Sequence, residues 1–148
     1  MSGLKSLNKG KRAERECVKI LQPLVDKACA AAGITTFSVE RNLTQSRKGG
    51  FDIAGIPWLA LEVKHHETEQ LSAWWEQAKR QAAEHQEPVL FHRKNHGKWK
   101  VRMFGYLNAA QRGTDGPRIR CPVDISLETF LVYFQVRLER SLTEQGGG

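Results

Sequence analysis

Three side chains of one short stretch carry the chemistry this sequence could do. Asp52, Glu62 and Lys64 lie in Phe51-Asp52-Ile53-Ala54-Gly55-Ile56-Pro57-Trp58-Leu59-Ala60-Leu61-Glu62-Val63-Lys64, where two apolar-rich runs flank an Ala-Gly-Ile-Pro turn. That pattern predicts a β-hairpin. Strand alternation puts Trp58, Ala60, Glu62 and Lys64 on one face of the second run and Leu59, Leu61 and Val63 on the other. Asp52 opens the hairpin and comes across the turn to the same end, so two carboxylates and an ammonium converge among apolar neighbours. Charges placed there are costly unless they hold something charged. A hard divalent cation on a phosphate meets that need: oxygen ligands for the metal, and the lysine for the phosphate or the attacking water. The plainer alternative is a solvated strand that happens to carry two acids and a lysine, because D-x9-E-x-K is a short pattern.

The elements around this hairpin decide what else can reach it. From Arg12 the pattern is helical, with Cys17, Ile20, Leu21, Leu24, Val25 and Ala28 at three- and four-residue spacing. Pro23 predicts a kink or restart near Gln22, and Gly33 a stop. Glu14 lies three before Cys17 and seven before Leu21, so it falls on the buried stripe, whereas Glu16 is turned away as an ordinary surface acid. Periodicity leaves Glu14 open between a functional carboxylate and a solvated first-turn residue that suits the helix dipole.

Residues 1–10 read as a polar, mobile basic arm, and 36–41 alternates as a strand. Beyond the hairpin, His65 and His66 are adjacent on a strand and face opposite ways, so they do not serve one ion. Leu71, Trp74, Trp75, Ala78 and Ala82 mark a second helix, with Ser72 near its cap and Pro88 ending the region. Val89-Leu90-Phe91 is a short buried strand, and 92–97 turns the chain. Trp99, Val101 and Met103 then alternate with Lys98, Lys100 and Arg102 in a return strand. His92-Arg93-Lys94-Asn95-His96 is too compact for a histidine-metal finger. Residues 105–118 read as a long loop or insertion, and 119–125 as an edge strand that tolerates Pro122. Ser126 caps a final helix with Leu127, Phe130, Leu131, Phe134 and Leu138 on one face. Val132, Tyr133 and Val136 make its other side apolar, as a subunit interface or a core-crossing helix would require.

The formal net charge of +7 and pI near 9.6 favour a polyanionic partner. Lys5, Lys9, Lys11, Arg12, Arg15 and Lys19 crowd the amino terminus; Arg47 and Lys48 sit in the polar loop 42–50; Arg93, Lys94, Lys98, Lys100 and Arg102 crowd the later hairpin. Any one cluster could be a solvated face, but three beside a candidate metal site point to a nucleic-acid backbone. At 148 residues the chain is expected to be one domain with a proper core, soluble by composition and without a membrane span. The basic amino terminus has no apolar segment, so no secretory signal is expected. Cys17, Cys29 and Cys121 show no C-x-x-C spacing and read as small core residues of a reducing, cytoplasmic compartment.

The order of these pieces resembles the PD-(D/E)xK nuclease superfamily, and within it archaeal-type Holliday junction resolvases and their phage relatives. Lys9-Gly10-x-x-x-Glu14-Arg15-Glu16 is similar to that family's opening motif, Arg41 to its arginine before the loop, Asp52 to its aspartate, and Glu62-Val63-Lys64 to its E-V-K. Ser126-Leu127-Glu128 resembles its closing segment. Phe51 stands where the family has a proline, and the loop from Arg41 to Asp52 is longer. The resemblance implies an α/β, restriction-endonuclease-like core: a mixed central β-sheet flanked by helices in α-β-β-β-α-β order, with a C-terminal helix. It implies that Asp52 and Glu62 ligate Mg2+ (Mn2+ able to substitute) with the carbonyl of Val63, and that Glu14 acts through a second metal or its water. Lys64 would orient water or neutralise the phosphate, and Arg15 and Arg41 would hold the scissile backbone. It further implies a homodimeric, nucleoid-associated endonuclease of DNA recombination and repair that cuts four-way junctions in a prokaryotic or phage-infected cell. A flap, mismatch or restriction-like nuclease would share this chemistry. A non-catalytic DNA-binding module is the alternative of another kind, and the presence of all four candidate groups argues against it.

Overall fold

A computed structural model describes residues 2–43 and 51–146. Helix α1 (Ser2–Ala32) leads into two short strands, β1 (Glu40–Arg41) and β2 (Ile53–Ala54), and then the longer β3 (Leu59–His66). Helix α2 (Leu71–Gln81) follows, then β4 (Glu87–Lys94), β5 (Lys100–Asn108), β6 (Arg118–Ser126) and helix α3 (Leu127–Gly146). The first six elements thus come in the expected α-β-β-β-α-β order. The strands form one sheet in the order β1-β2-β3-β4-β5-β6, parallel between β3 and β4 and antiparallel elsewhere. The protein is therefore α/β with a mixed sheet between helices, and no described helix is long and apolar enough to cross a membrane.

Two apolar layers explain this arrangement. Leu21, Val25 and Ala28 of α1 and Phe130, Phe134 and Leu138 of α3 pack over one face of the sheet, on Leu59, Leu61, Val89, Phe91 and Val101. Trp74, Trp75 and Ala78 of α2 cover Leu90 on the opposite face. Strand alternation divides β3 as expected: Leu59, Leu61 and Val63 enter the first layer, and Glu62 turns to the α2 side. Ser126 Oγ accepts the Thr129 N–H at 3.1 Å and caps α3.

Several sequence expectations need correction. α1 begins at Ser2, so the arm 1–10 is helical from its second residue. The helix runs unbroken through Pro23, because Leu21 and Val25 are both fully buried and their burial offsets the lost N–H. Only Glu40–Arg41 of the expected 36–41 strand joins the sheet. Upstream, the Gln22 side chain donates to the Phe37 carbonyl and accepts from the Val39 N–H, so this backbone pairs with α1 instead. Ser72 does not cap α2, which starts after Gln70 with no side-chain cap. Pro88 lies inside β4 opposite Ala60, and β4 extends through His92, Arg93 and Lys94; the turn is at Asn95 and His96. β5 likewise runs on to Asn108 and pairs with β6 back to Arg118, so 105–108 is strand. The edge position of β6 and the stop at Gly33, whose φ is 70°, are as expected.

Gly55 joins β2 to β3 at φ 114°, and a Cβ there would lie 2.5 Å from the Ser38 carbonyl oxygen. Gly55→Ala is expected to lower the unfolding free energy by about 1–3 kcal/mol in urea denaturation. An unchanged midpoint would mean that the backbone at Ser38 can give way.

Candidate active site

Three elements deliver the four candidate groups to one end of the sheet. Ile53 pairs with Leu61, which sets Asp52 opposite Glu62 across the β2–β3 hairpin. Asp52 is locked there by three hydrogen bonds. Its N–H donates to the Leu61 carbonyl at 2.9 Å, its carbonyl accepts the Asn42 N–H at 2.8 Å, and its Oδ2 accepts the Val63 N–H at 2.8 Å. Glu14 arrives from α1 and meets Arg41 of β1, with 3.6 Å between Oε1 and Nε. Lys64 lies 3.8 Å from Glu62 Oε1 on its own strand.

Glu14, Asp52 and Glu62 are all buried, with relative exposures of 9, 7 and 3%. Desolvation and mutual repulsion therefore dominate the electrostatics. Burial first, then the charge of Asp52 and its hydrogen bond, push the Glu62 carboxyl up to about 9, against the opposing pull of Lys64. Burial and then Asp52 also raise Glu14, with Arg41 and Lys11 pulling the other way. Burial, helped by Glu16 and Asp52, likewise raises the Cys17 thiol beneath the site. Glu62 Oε2 and Glu14 Oε1 are buried without a hydrogen-bond partner, a state that natural interiors rarely leave unanswered.

Glu14 is buried well inside α1 near Asp52 and Arg41, so it is not a solvated first-turn acid. Among the described residues, no group of three His, Cys, Asp or Glu side chains is arranged to hold a metal ion. The donor chemistry nonetheless fits a hard cation: Asp52 and Glu62 offer only oxygens, and one buried oxygen of Glu62 is unpartnered.

The expected DNA-binding cations divide into several kinds. Arg12 and Arg15 are exposed on α1, and Lys11 is half-buried beside Glu14. Lys9 donates to Asn95 Oδ1 at 2.7 Å. Arg93 is engaged internally: its Nη2 sits 2.8 Å from Glu16 Oε2, and its guanidinium lies 4.8 Å from the Trp99 ring centre. Lys94 is largely exposed and lies 3.8 Å from Glu69. Arg47 and Lys48 fall outside the described residues.

Glu16 was underrated by sequence reasoning. It also accepts from Trp99 Nε1 at 3.1 Å, so it ties α1 to β4 and to the segment entering β5. Its offset of two residues from Glu14 was the available signal, since it turns the two acids to different sides of one helix. His92 was also missed: it is buried within β4, one strand from Lys64. His65 and His66 end β3, and His66 stacks on Trp74 with ring centres 5.1 Å apart. Comparison with protein-family models, curated proteins and solved structures gives no match.

The raised Glu62 carries a sign. Its ordinary value is 4.5 and its folded value about 9, so between these limits the native state holds the extra proton and stability falls as pH rises. In metal-free buffer, chemical denaturation from pH 7 to pH 9 is expected to show declining stability, with Glu62→Gln flattening the decline. The raised assignment fails if the two proteins show the same slope.

Proposed function

We propose that this protein is a metal-dependent, structure-selective DNA endonuclease on a restriction-endonuclease-like core of the PD-(D/E)xK type. It hydrolyses phosphodiesters in branched DNA, with the four-way junction as substrate. The observation that carries this reading is that Glu14 of α1 is buried with the hairpin acids Asp52 and Glu62 and bears on their charge, with Lys64 3.8 Å from Glu62, in a chain of net charge +7.

Asp52, Glu62 and the Val63 carbonyl would hold Mg2+, or Mn2+ in its place, and Glu14 would reach it through a second ion or a water. Bound there, the metal supplies charge to polarise the phosphate and to lower the pKa of the attacking water. The chain's own groups do the rest. Glu62 must give up its proton when a cation loads, so loading is easier as pH rises. Lys64, 3.8 Å from Glu62, would stand against the phosphate. Arg41, held 3.6 Å from Glu14, lies at the edge of the same cluster and can take a neighbouring phosphate oxygen. Lys9, Lys11, Arg12, Arg15 and Lys94 contact backbone without reading bases.

Cutting two strands of a junction at matched positions calls for a two-fold dimer with one site in each subunit. Val132 and Val136, 67 and 54% exposed on α3, supply an apolar surface for it.

The deciding experiment compares cleavage of synthetic junction, flap, linear duplex and single strand with and without Mg2+. Asp52→Asn and Glu62→Gln are expected to slow junction cleavage about a hundredfold or more while DNA binding persists. Variants that process DNA as fast as the parent would leave only the binding-module alternative, and equal cleavage of every substrate would remove the junction preference. Lys64→Ala is expected to lower turnover about a hundredfold with little change in thermal stability. A matching loss of stability would assign Lys64 to the fold instead.

A further inference from the structure

A cavity of about 860 Å³ opens where β4 ends, β5 begins and β6 passes into α3. It lies one strand away from the acidic cluster, since His92 in its wall pairs with Lys64 on one side and Lys100 on the other. Trp99, Leu71, Ile125 and Leu127 give it apolar walls, and the exposed Lys98 and Lys100 stand at its mouth. His92 is only 4% exposed, yet its Nε2 is buried with no hydrogen-bond partner.

The charges around this cavity sort themselves. Glu69 is matched by Lys94, Asp124 by Nε and Nη2 of Arg102 at 2.6 and 2.8 Å, and Arg93 by Glu16. Lys98, Lys100 and Glu128 are left without an ion pair among the described residues. Burial is the main cause that holds His92 below its usual range, against Glu69 and Asp124, and so favours the neutral ring. A neutral imidazole deep among apolar side chains suits an uncharged, flat, hydrogen-bonding ring better than an anion, which would favour the imidazolium. The two mouth lysines suit the phosphates of a sugar backbone that carries such a ring.

We propose that this cavity receives an unpaired nucleobase of the substrate strand, with Lys98 and Lys100 on the adjoining phosphates. This rests on the nuclease reading and deepens it by naming what distinguishes branched from continuous DNA. Neighbouring strands lie roughly 5 Å apart, so a strand crossing Lys64 passes the cavity mouth. At a branch point stacking is interrupted, so a base is extruded at lower cost than one in continuous duplex, which must be both unstacked and unpaired at a cost of a few kcal/mol.

The test uses the full chain in EDTA, so that binding is read without cleavage. Two DNAs are compared by fluorescence anisotropy: a perfect duplex, and the same duplex carrying one unpaired 2-aminopurine whose emission is followed. The parent protein is expected to bind the second about tenfold more tightly and to change its emission. His92→Leu is expected to erase that preference while leaving duplex affinity within about twofold. Equal affinity of the parent for both DNAs, or a folded His92→Leu protein with its preference intact, overturns the proposal. Should His92→Leu fail to fold, the exposed pair Lys98→Ala and Lys100→Ala carries the same test, and undiminished preference again overturns it. A chain that shows the preference but cuts no DNA keeps the cavity and sinks the nuclease. One that cuts junctions without the preference does the reverse.

Discussion

The hydrogen bond from the Val63 N–H to Asp52 Oδ2 is the contact on which the site depends. β1 and β2 have only two residues each in the sheet, too few to hold their own register. The Asp52 carboxylate adds a charge-assisted bond at 2.8 Å to the backbone bonds on either side of it. Such a bond contributes about 1.5–3 kcal/mol. It pins the short strands to β3 and places the Asp52 charge beside Glu62. The elevated Glu62 follows from this, because the carboxylate that organises the hairpin also opposes ionisation of its neighbour. The hairpin's pairing and the protonation of Glu62 are coupled through one side chain.

Helix α1 has the complementary task of bringing Glu14 to that hairpin at the correct rotation. Its apolar stripe of Cys17, Leu21, Val25 and Ala28 fixes which side faces the sheet. Two polar ties on either side of the stripe refine the angle: Glu14 with Arg41, and Glu16 with Arg93 and Trp99. An acid two positions along a helix points about 200° away. Both ties can therefore form only over a narrow range of rotation, and the range that satisfies Glu16 carries Glu14 into the acidic cluster.

What was legible in the sequence was whatever periodicity or turn chemistry controls. The hairpin around Gly55, the alternation of Leu59, Leu61 and Val63 against Glu62, the stop at Gly33 and the cap at Ser126 are local, and the residues declare them. The misplacements share a cause, which is a partner remote in the chain. Pro23 sits within a continuous helix because the surrounding core holds it. The backbone at 37–39 leaves the sheet because Gln22, far upstream in α1, takes its hydrogen bonds. His92 looked like a turn residue among polar letters, yet the parallel register with β3 draws it into the sheet. Gly105 and the residues after it read as loop, and pair because β6 returns along the whole length of β5. The acidic trio was visible as types and spacing. Periodicity puts Glu14 on the buried stripe of α1, but the residues it meets there, Asp52 and Arg41, are brought by strands remote in the chain.

The same remoteness bears on how so basic a protein keeps its cations. Lys9, Arg41, Arg93 and Lys94 each have a partner, Asn95, Glu14, Glu16 and Glu69 respectively, although the chain carries a net charge of +7. Pairs this close to the surface are worth only about 0–1 kcal/mol each. A DNA phosphate offers charge-assisted bonds of greater strength and also releases condensed counterions. Exchange of Glu69 for phosphate at Lys94 is therefore cheap, whereas Arg93 also loses its Trp99 contact and its hold on α1. The exposed lysines and arginines are accordingly the groups free to move onto a polyanion. The less exposed pairs at Glu14 and Glu16 would stay in place and keep the carboxylates aligned.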